Sequence, residues 1–234
     1  MAEAAVVLGV LGVAALVGLV LYLGWRFEKK RREAFAREAA SLGLVYEPHS
    51  CEILHDRFGQ FSVFRQGQRR RSNNVLRGTY RGVEVRLFEF RYETTSGSGK
   101  NRRRQVHHAG VALAILGLPF PGVRIVPEHW GHKLWDAVGG DDIDFESDEF
   151  SRKFWVKSDD RRFAYDLIHA RTMEFLMTPG WQNWEVIGPG VAVWANGRIR
   201  PQDARPILDR LVGFVGLIPP HVSQATSPAM RPKP

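Results

Sequence analysis

From Ala4 to Trp25 the chain carries no charged residue and is built almost wholly of Ala, Val, Leu and Gly. Those 22 residues, at about 1.5 Å rise, form a rod of about 33 Å, enough to cross a hydrocarbon core of about 30 Å. With no water in that core, a helix that satisfies its own backbone is the available solution. A cleaved signal peptide is the competing reading. It requires a basic start, a shorter apolar stretch and a small-x-small cleavage site. Met1-Ala2-Glu3 offers one acid and no base, and Leu21-Tyr22-Leu23-Gly24-Trp25-Arg26 offers no Ala-x-Ala. Residues 1–25 are therefore read as a transmembrane anchor, with Tyr22 and Trp25 placed where amphipathic rings prefer the interface.

The residues flanking the span set the expected orientation. Arg26, Lys29, Lys30, Arg31 and Arg32 come directly after it, against Glu3 and the terminal amine before it. The positive-inside rule places the N-terminus outside and the remaining 200 or so residues in the cytoplasm. Cys51 is the only cysteine, so no intrachain disulfide can form, as in a reducing compartment.

Charge is unevenly spread. Arg26–Arg124 holds 20 Lys and Arg against 9 Asp and Glu, whereas the chain from Ile125 onward holds 13 against 15. A basic half beside an anchor suits anionic lipid head groups, at about 1 kcal/mol per cation near the surface. The triplets Arg69-Arg70-Arg71 and Arg102-Arg103-Arg104 are the candidate membrane-surface residues. Ordinary solvated charge is the competing reading. Nucleic acid is disfavoured as a partner, because no helix-turn-helix, zinc finger or aromatic RNP-type motif accompanies the charge.

The patterning predicts an α+β fold: the anchor, a juxtamembrane helix over 26–43, one soluble β-rich domain over 44–218 with two or three helices, and a disordered tail over 219–234. Glu28–Arg32 and Glu33–Arg37 are acid-before-base i,i+4 pairs, and Gly43 is a helix stop. Phe58–Phe64 reads as a strand leading into a basic loop, Gln66–Ser72. Val83–Tyr92 is the clearest strand. Its apolar positions slip phase between Leu87 and Phe88, which predicts a β-bulge. A Gly/Ser and basic tip, Thr94–Arg104, then joins it to a strand over Val106–Leu116. Leu118–Gly122 reads as a turn into a short strand at Val123–Val126. Phe154–Val156 reads as a strand and Ser158-Asp159-Asp160 as a helix start, with an apolar stripe running from Phe163 to Leu176. Trp184–Ile187 and Val191–Ala195 are expected strands, Asn196-Gly197 a type I′ hairpin signal, and Gln202–Leu217 a last amphipathic helix.

The phrase Asp148-Glu149-Phe150-Ser151-Arg152-Lys153-Phe154-Trp155-Val156-Lys157-Ser158-Asp159-Asp160, followed by Phe163-Ala164-Tyr165 and Met173-Glu174-Phe175-Leu176, resembles a signature of uncharacterised bacterial single-pass membrane proteins. The earlier Leu76-Arg77-Gly78-Thr79-Tyr80-Arg81-Gly82-Val83 is similar too, so the likeness runs from about Val75 to Ile218. The resemblance implies a bacterial cell-membrane protein with a cytoplasmic domain of unknown function, and supplies no catalytic residue.

No cofactor or metal is expected from the remaining motifs. Gly97-Ser98-Gly99-Lys100 lacks the earlier glycine of a phosphate loop, where Thr94 stands, and the magnesium-holding hydroxyl, where Asn101 stands. His129 and His132 are spaced i,i+3 across a glycine, and adjacent His107 and His108 would point to opposite faces of a strand, so neither pair makes a zinc set. The acidic run Asp141–Glu149 lacks the glycine and terminal glutamate of a calcium loop. The leading functional expectation is a membrane-tethered, non-enzymatic interaction or scaffold module with an unidentified protein partner. The alternative is an enzyme assembled from scattered residues around His107, His129 and the acidic run.

Overall fold

The structure is a computed structural model, and it describes residues 2–50, 54–97, 101–128 and 141–225. It is α+β, as the patterning predicts. A single helix, α1 (Ala2–Ser41), joins anchor and stem without a break. Among the described residues it is the one helix long and apolar enough to cross a membrane, and none of its apolar window is buried by the rest of the chain. Arg26 lies 5.8 Å over the Tyr22 ring and Lys29 5.4 Å over Trp25, a cation–aromatic collar where the apolar run ends. The helix stops where Gly43 turns left-handed (φ +71°). The Leu44 N–H then donates to Ala39 O at 2.9 Å and Gly43 N–H to Ala40 O at 3.2 Å. These paired bonds satisfy orphan carbonyls in a Schellman motif.

Among the described residues the sheet has seven antiparallel strands: β1 (Val45–His49), β2 (Gln68–Tyr80), β3 (Val83–Ser96), β4 (Arg103–Pro127), β5 (Asp141–Asp142), β6 (Phe154–Ser158) and β7 (Asn183–Asn196). They run in the order β1-β2-β3-β4-β6-β5, with β7 on the other edge of β4. The 25-residue β4 is the spine. Along one edge it pairs first with β3 and then, from Val123 to Pro127, with β6, while β7 follows the opposite edge. Helices α2 (Leu54–Arg57), α3 (Asp148–Lys153), α4 (Arg161–Leu167), α5 (Ala170–Met177), α6 (Ala204–Val215) and α7 (Pro220–Ala225) complete the fold.

Two cores lie on the two faces. One packs Phe35, Ala39, Leu42 and Leu44 of the stem region with Val85, Leu87, Trp184, Val193, Leu208, Leu211 and Phe214. The other is smaller and aromatic, with Leu54, Phe58, Phe61 and Phe64 lying over Phe88, Phe90, Tyr92, Val111 and Trp194. This arrangement explains the phase slip in β3. β3 is regular against β4, unbroken from Glu84↔Ile115 to Ser96↔Arg103, and the irregularity at this level belongs to the facing strand, where β2 carries an extra residue between Asn73↔Glu89 and Leu76↔Leu87. Odd residues 85 and 87 face the first core and even residues 88, 90 and 92 the second, so the hydrophobic stripe passes from one side of the sheet to the other. The register shifts are in β2, at Gln68/Arg71 and Asn73/Leu76, where Arg69 and Asn74 take positive φ.

Several other expectations are corrected. Phe58–Phe64 is not a strand. It belongs to the lid formed by α2 and a 3₁₀ turn (Ser62–Arg65), because Phe58, Phe61 and Phe64, spaced in threes, all face the second core. Residues 118–122 do not turn the chain away; β4 passes through them with two irregularities in its pairing to β7. The helical stretch after Asp160 breaks at Ile168-His169 into α4 and α5. Asp160 caps α4 by accepting from Phe163 N–H at 2.9 Å, as its position suggests. Asn196-Gly197 makes no hairpin: it ends β7, and the chain goes on through a 3₁₀ turn (Pro201–Asp203) to α6. The two positive-φ residues of a type I′ turn are instead Arg81 and Gly82, between Tyr80 and Val83. The tail does not begin at 219, since Pro220–Ala225 is helical and Val222 is buried.

Candidate functional site

Strand β3 carries a row of odd-numbered residues on the face where α1 lies: Val85, Leu87, Glu89, Arg91, Glu93 and Thr95. Contacts with α1 and the chain around it climb this row in order. Leu44, just beyond α1, stands against Gly78, which pairs with Val85. Phe35 stacks on Tyr46, whose register partner Leu76 pairs with Leu87. Arg31 reaches Glu89, and Glu28 stands 3.9 Å from Arg198. Going back along α1 toward the apolar run is therefore going toward the tip of the β3–β4 hairpin. From Arg31 to Trp25 is about 9 Å of helix. From Glu89 to Ser96 is about 23 Å of strand. The hairpin tip thus has the reach to stand level with the end of the apolar run.

The Glu89 end of the row is closed. Glu89 is 3% exposed. Its Oε1 accepts from the Arg31 guanidinium and from Ile199 N–H at 2.8 Å, and its Oε2 from Asn74 Nδ2 at 2.9 Å. Asn74 Oδ1 accepts in turn from the Tyr46 hydroxyl at 2.8 Å, and Arg31 Nη2 donates to Ile199 O at 2.9 Å. Burial pushes the Tyr46 hydroxyl up from its ordinary value. Gly110 lies opposite Glu89 in β4, and a Cβ there would meet Trp181 at 2.6 Å and Ile199 at 2.7 Å. The absent side chain is what lets the Ile199 backbone close over the carboxylate. A second closed pair, Arg124–Glu185, lies in the sheet beside Ser62, whose N–H donates to Glu185 Oε2 at 2.7 Å.

The Glu93 end is open. Arg91 Nη2 donates to Glu93 Oε1 at 2.9 Å, and Arg104 Nε and Arg69 Nη1 stand 3.3 and 3.7 Å from Oε2. The Glu93 side chain is only 9% exposed, yet its Oε2 accepts no hydrogen bond among the described residues. Around it open two clefts of about 500 and 390 Å³ that share Gln68, Glu93, Thr95 and Arg102. Thr94, which lines the first cleft, contacts His107 Nε2 through its hydroxyl at 2.7 Å.

This site sorts the two predicted arginine triplets. Arg69 and Arg104 meet on one carboxylate, and Arg102 lines the same clefts. Arg70 turns back on its own loop, donating to Gln66 O, Gly67 O and Arg65 O, and serves the local fold. Arg71 and Arg103 are exposed outside the clefts. The first triplet is not in a loop as expected; it opens β2, where the irregularity at Arg69 turns that side chain toward Glu93. Sequence patterning does not single out Glu93. Its signal is an acid at the end of a strand between two basic runs.

His107 and the acidic run do not come together. His107 lies near the start of β4 and stacks on Tyr92 at 5.0 Å. The acidic run begins with β5, which pairs β6 beside residues 123–127, roughly 50 Å further along the strand. Within that run Ile143 and Phe145 are buried and Asp144 and Glu146 exposed, a solvated edge over packed apolars. Burial and the neighbouring Arg198 hold the His108 imidazole below its ordinary value. No three His, Cys, Asp or Glu gather as metal ligands among the described residues. Cys51, Ser98–Lys100, His129 and His132 lie outside those residues.

The sequence matches no protein-family model and no curated protein. In fold the chain is similar to the crystal structure of the mycobacterial trehalose monomycolate transport factor A, TtfA, with a TM-score of 0.53 and 16% identity over 89% of this chain and 99% of that one.

Proposed function

We propose that the chain is a membrane-tethered, non-enzymatic interaction module of a bacterial cell membrane. Its N-terminus lies outside, its domain is cytoplasmic, and the basic end of its sheet meets anionic lipid. One observation carries this reading: the stem is locked to the sheet through Arg31 and Glu89, and the end holding Arg69, Arg102 and Arg104 lies in the direction of the apolar run. A domain free on a flexible linker would have no preferred face. The fold likeness to a trehalose monomycolate transport factor is compatible with an accessory role in transport.

Topology is tested by adding protease to intact spheroplasts. The domain stays whole if it is cytoplasmic, and digestion without lysis rejects the orientation. The lipid-facing surface is tested by amide hydrogen exchange of the full chain in nanodiscs of neutral lipid, with and without phosphatidylglycerol. Exchange over 68–71 and 101–105 slows with the anionic lipid, and the effect fades with salt as exposed charges are screened over about 8 Å at physiological ionic strength. Equal exchange in both discs rejects the lipid-facing surface.

A further inference from the structure

We infer that the paired clefts around Glu93 bind the phosphodiester head group of a single anionic lipid such as phosphatidylglycerol. This rests on the lipid-facing reading above and narrows it from a charged surface to a built site.

Cations outnumber anions at the clefts. Arg69, Arg91 and Arg104 converge on Glu93, and Arg102 lines the same clefts, so three guanidinium groups share one carboxylate and a fourth stands beside the open space. The excess is positive and concentrated, and guanidinium forks match the paired oxygens of a phosphodiester. The carboxylate has its own part. By gripping long side chains that would otherwise wander, it holds the arginines at fixed positions before any ligand arrives, which removes part of the ordering cost of binding. Its Oε2 is buried beneath Arg104 Nε at 3.3 Å and Arg69 Nη1 at 3.7 Å, so the guanidinium groups rather than the carboxylate face the open space.

The walls are shaped for closeness. Gly67 has φ +59°, and a Cβ there would lie 2.6 Å from Glu93 O, so the loop before β2 presses directly on β3. At the other wall Gly97 has φ +84°, and a Cβ would lie 2.5 Å from Asn101 O. Only glycine allows both approaches. The combined space suits a small-molecule site rather than a groove for a folded partner. Its position decides the ligand's source: Glu93 and Thr95 continue the row that α1 covers, on the side of the sheet nearest the end of the apolar run.

The test titrates the full chain, in nonionic detergent micelles, with dioctanoyl-phosphatidylglycerol, dioctanoyl-phosphatidic acid and inorganic phosphate, following heat. Arg69→Ala and Arg104→Ala each weaken phosphatidylglycerol binding about tenfold, the scale of one lost charge-assisted hydrogen bond. Arg71→Ala and Arg103→Ala remove the same charge from the same end of the sheet and weaken it by less than about twofold, as exposed charges do. Phosphatidic acid, whose phosphate presents the same paired oxygens, binds through the same residues and loses affinity in Arg69→Ala and Arg104→Ala. Melting of each variant is recorded, and Arg104→Lys, which keeps the charge but not the fork, also loses affinity if Arg104→Ala does not fold. Equal losses across all four arginine variants overturn the site while leaving a diffuse lipid-facing surface intact. Inorganic phosphate binding as tightly as phosphatidylglycerol overturns the lipid assignment. Phosphatidylglycerol binding that no arginine variant alters overturns both the site and the reading beneath it.

Discussion

Glu89 and Glu93 stand four residues apart on one face of β3, and both are nearly buried. They differ in closure. Glu89 is enclosed by α1, β1, β2 and the chain after β7, and each of its oxygens accepts at least one hydrogen bond. Glu93 has arginines from β2, β3 and β4 around it, two of them more than half exposed, and one oxygen without a hydrogen bond. A buried carboxylate can thus serve two purposes in a single strand. At Glu89 it fixes where the stem goes. At Glu93 it organises cations beside open space.

Removing one partner from the closed end has the largest expected effect. Arg31→Met leaves Glu89 buried and uncompensated, and destabilises the domain by about 3–5 kcal/mol, read by urea unfolding of the full chain in detergent. A loss below about 1 kcal/mol, the size of a surface pair, would show that the junction is not closed in solution. Gly110→Ala ranks second. The added methyl must displace the Trp181 ring or Ile199, an overpacking cost of about 1–3 kcal/mol, and a neutral result would mean that the chain after β7 yields easily. Glu93→Gln is smaller, below about 1 kcal/mol, because its partners are largely solvated. If it cost as much as Arg31→Met, the contrast between the two ends would fail.

The smallest effect concerns His108, which lies opposite Arg91 in β4 and near Arg198, Arg31 and Glu89. Its folded-state value lies below the ordinary 6.5. Above about 6.5 the imidazole is neutral in both states and stability is full. As pH falls through and below that value the unfolded chain takes up the proton first, so stability declines until the folded form protonates too. His108→Gln flattens this acid-side slope in melting experiments across that range. An unchanged slope would assign it to another group.

Local patterns that depend on neighbouring residues were legible. The uncharged run, the i,i+4 pairs of the stem, the stop at Gly43, the Asp160 cap and the amphipathic α6 all follow from spacing along one element. Errors arose where an element has two packed faces. The phase slip in Val83–Tyr92 looks like a bulge in that strand only if one face is assumed to be solvated; two cores give the same pattern with an unbroken β3–β4 register, and the extra residue at this level lies in β2. Phe58–Phe64 reads as alternation, yet its phenylalanines fall on a threefold spacing that closes a lid. Asn196-Gly197 has the composition of a hairpin, but among the described residues no strand comes after it to pair with β7, whereas Arg81-Gly82 turns between two strands that do pair.

The candidate site divides in the same way. Sequence located the two basic triplets, because charge runs are visible without a fold. It could not separate Arg70, which bonds its own loop, from Arg69, which faces Glu93, because that difference is set by an irregularity in β2 pairing. Nor could it single out Glu93, whose significance comes from β2 and β4 closing on β3.

Taken by itself, the sequence determined that a helix able to cross a membrane begins the chain, that a basic stem continues it, and that an α+β domain lies behind. Those properties depend on the residues of a single segment and the solvent it meets. Only the tertiary structure decided which end of the sheet lies toward the anchor and which arginines share a carboxylate. Direction and convergence are properties of long-range pairing, in which residues such as Arg31 and Glu89, 58 positions apart, are brought together by the register of the strands and the docking of the stem.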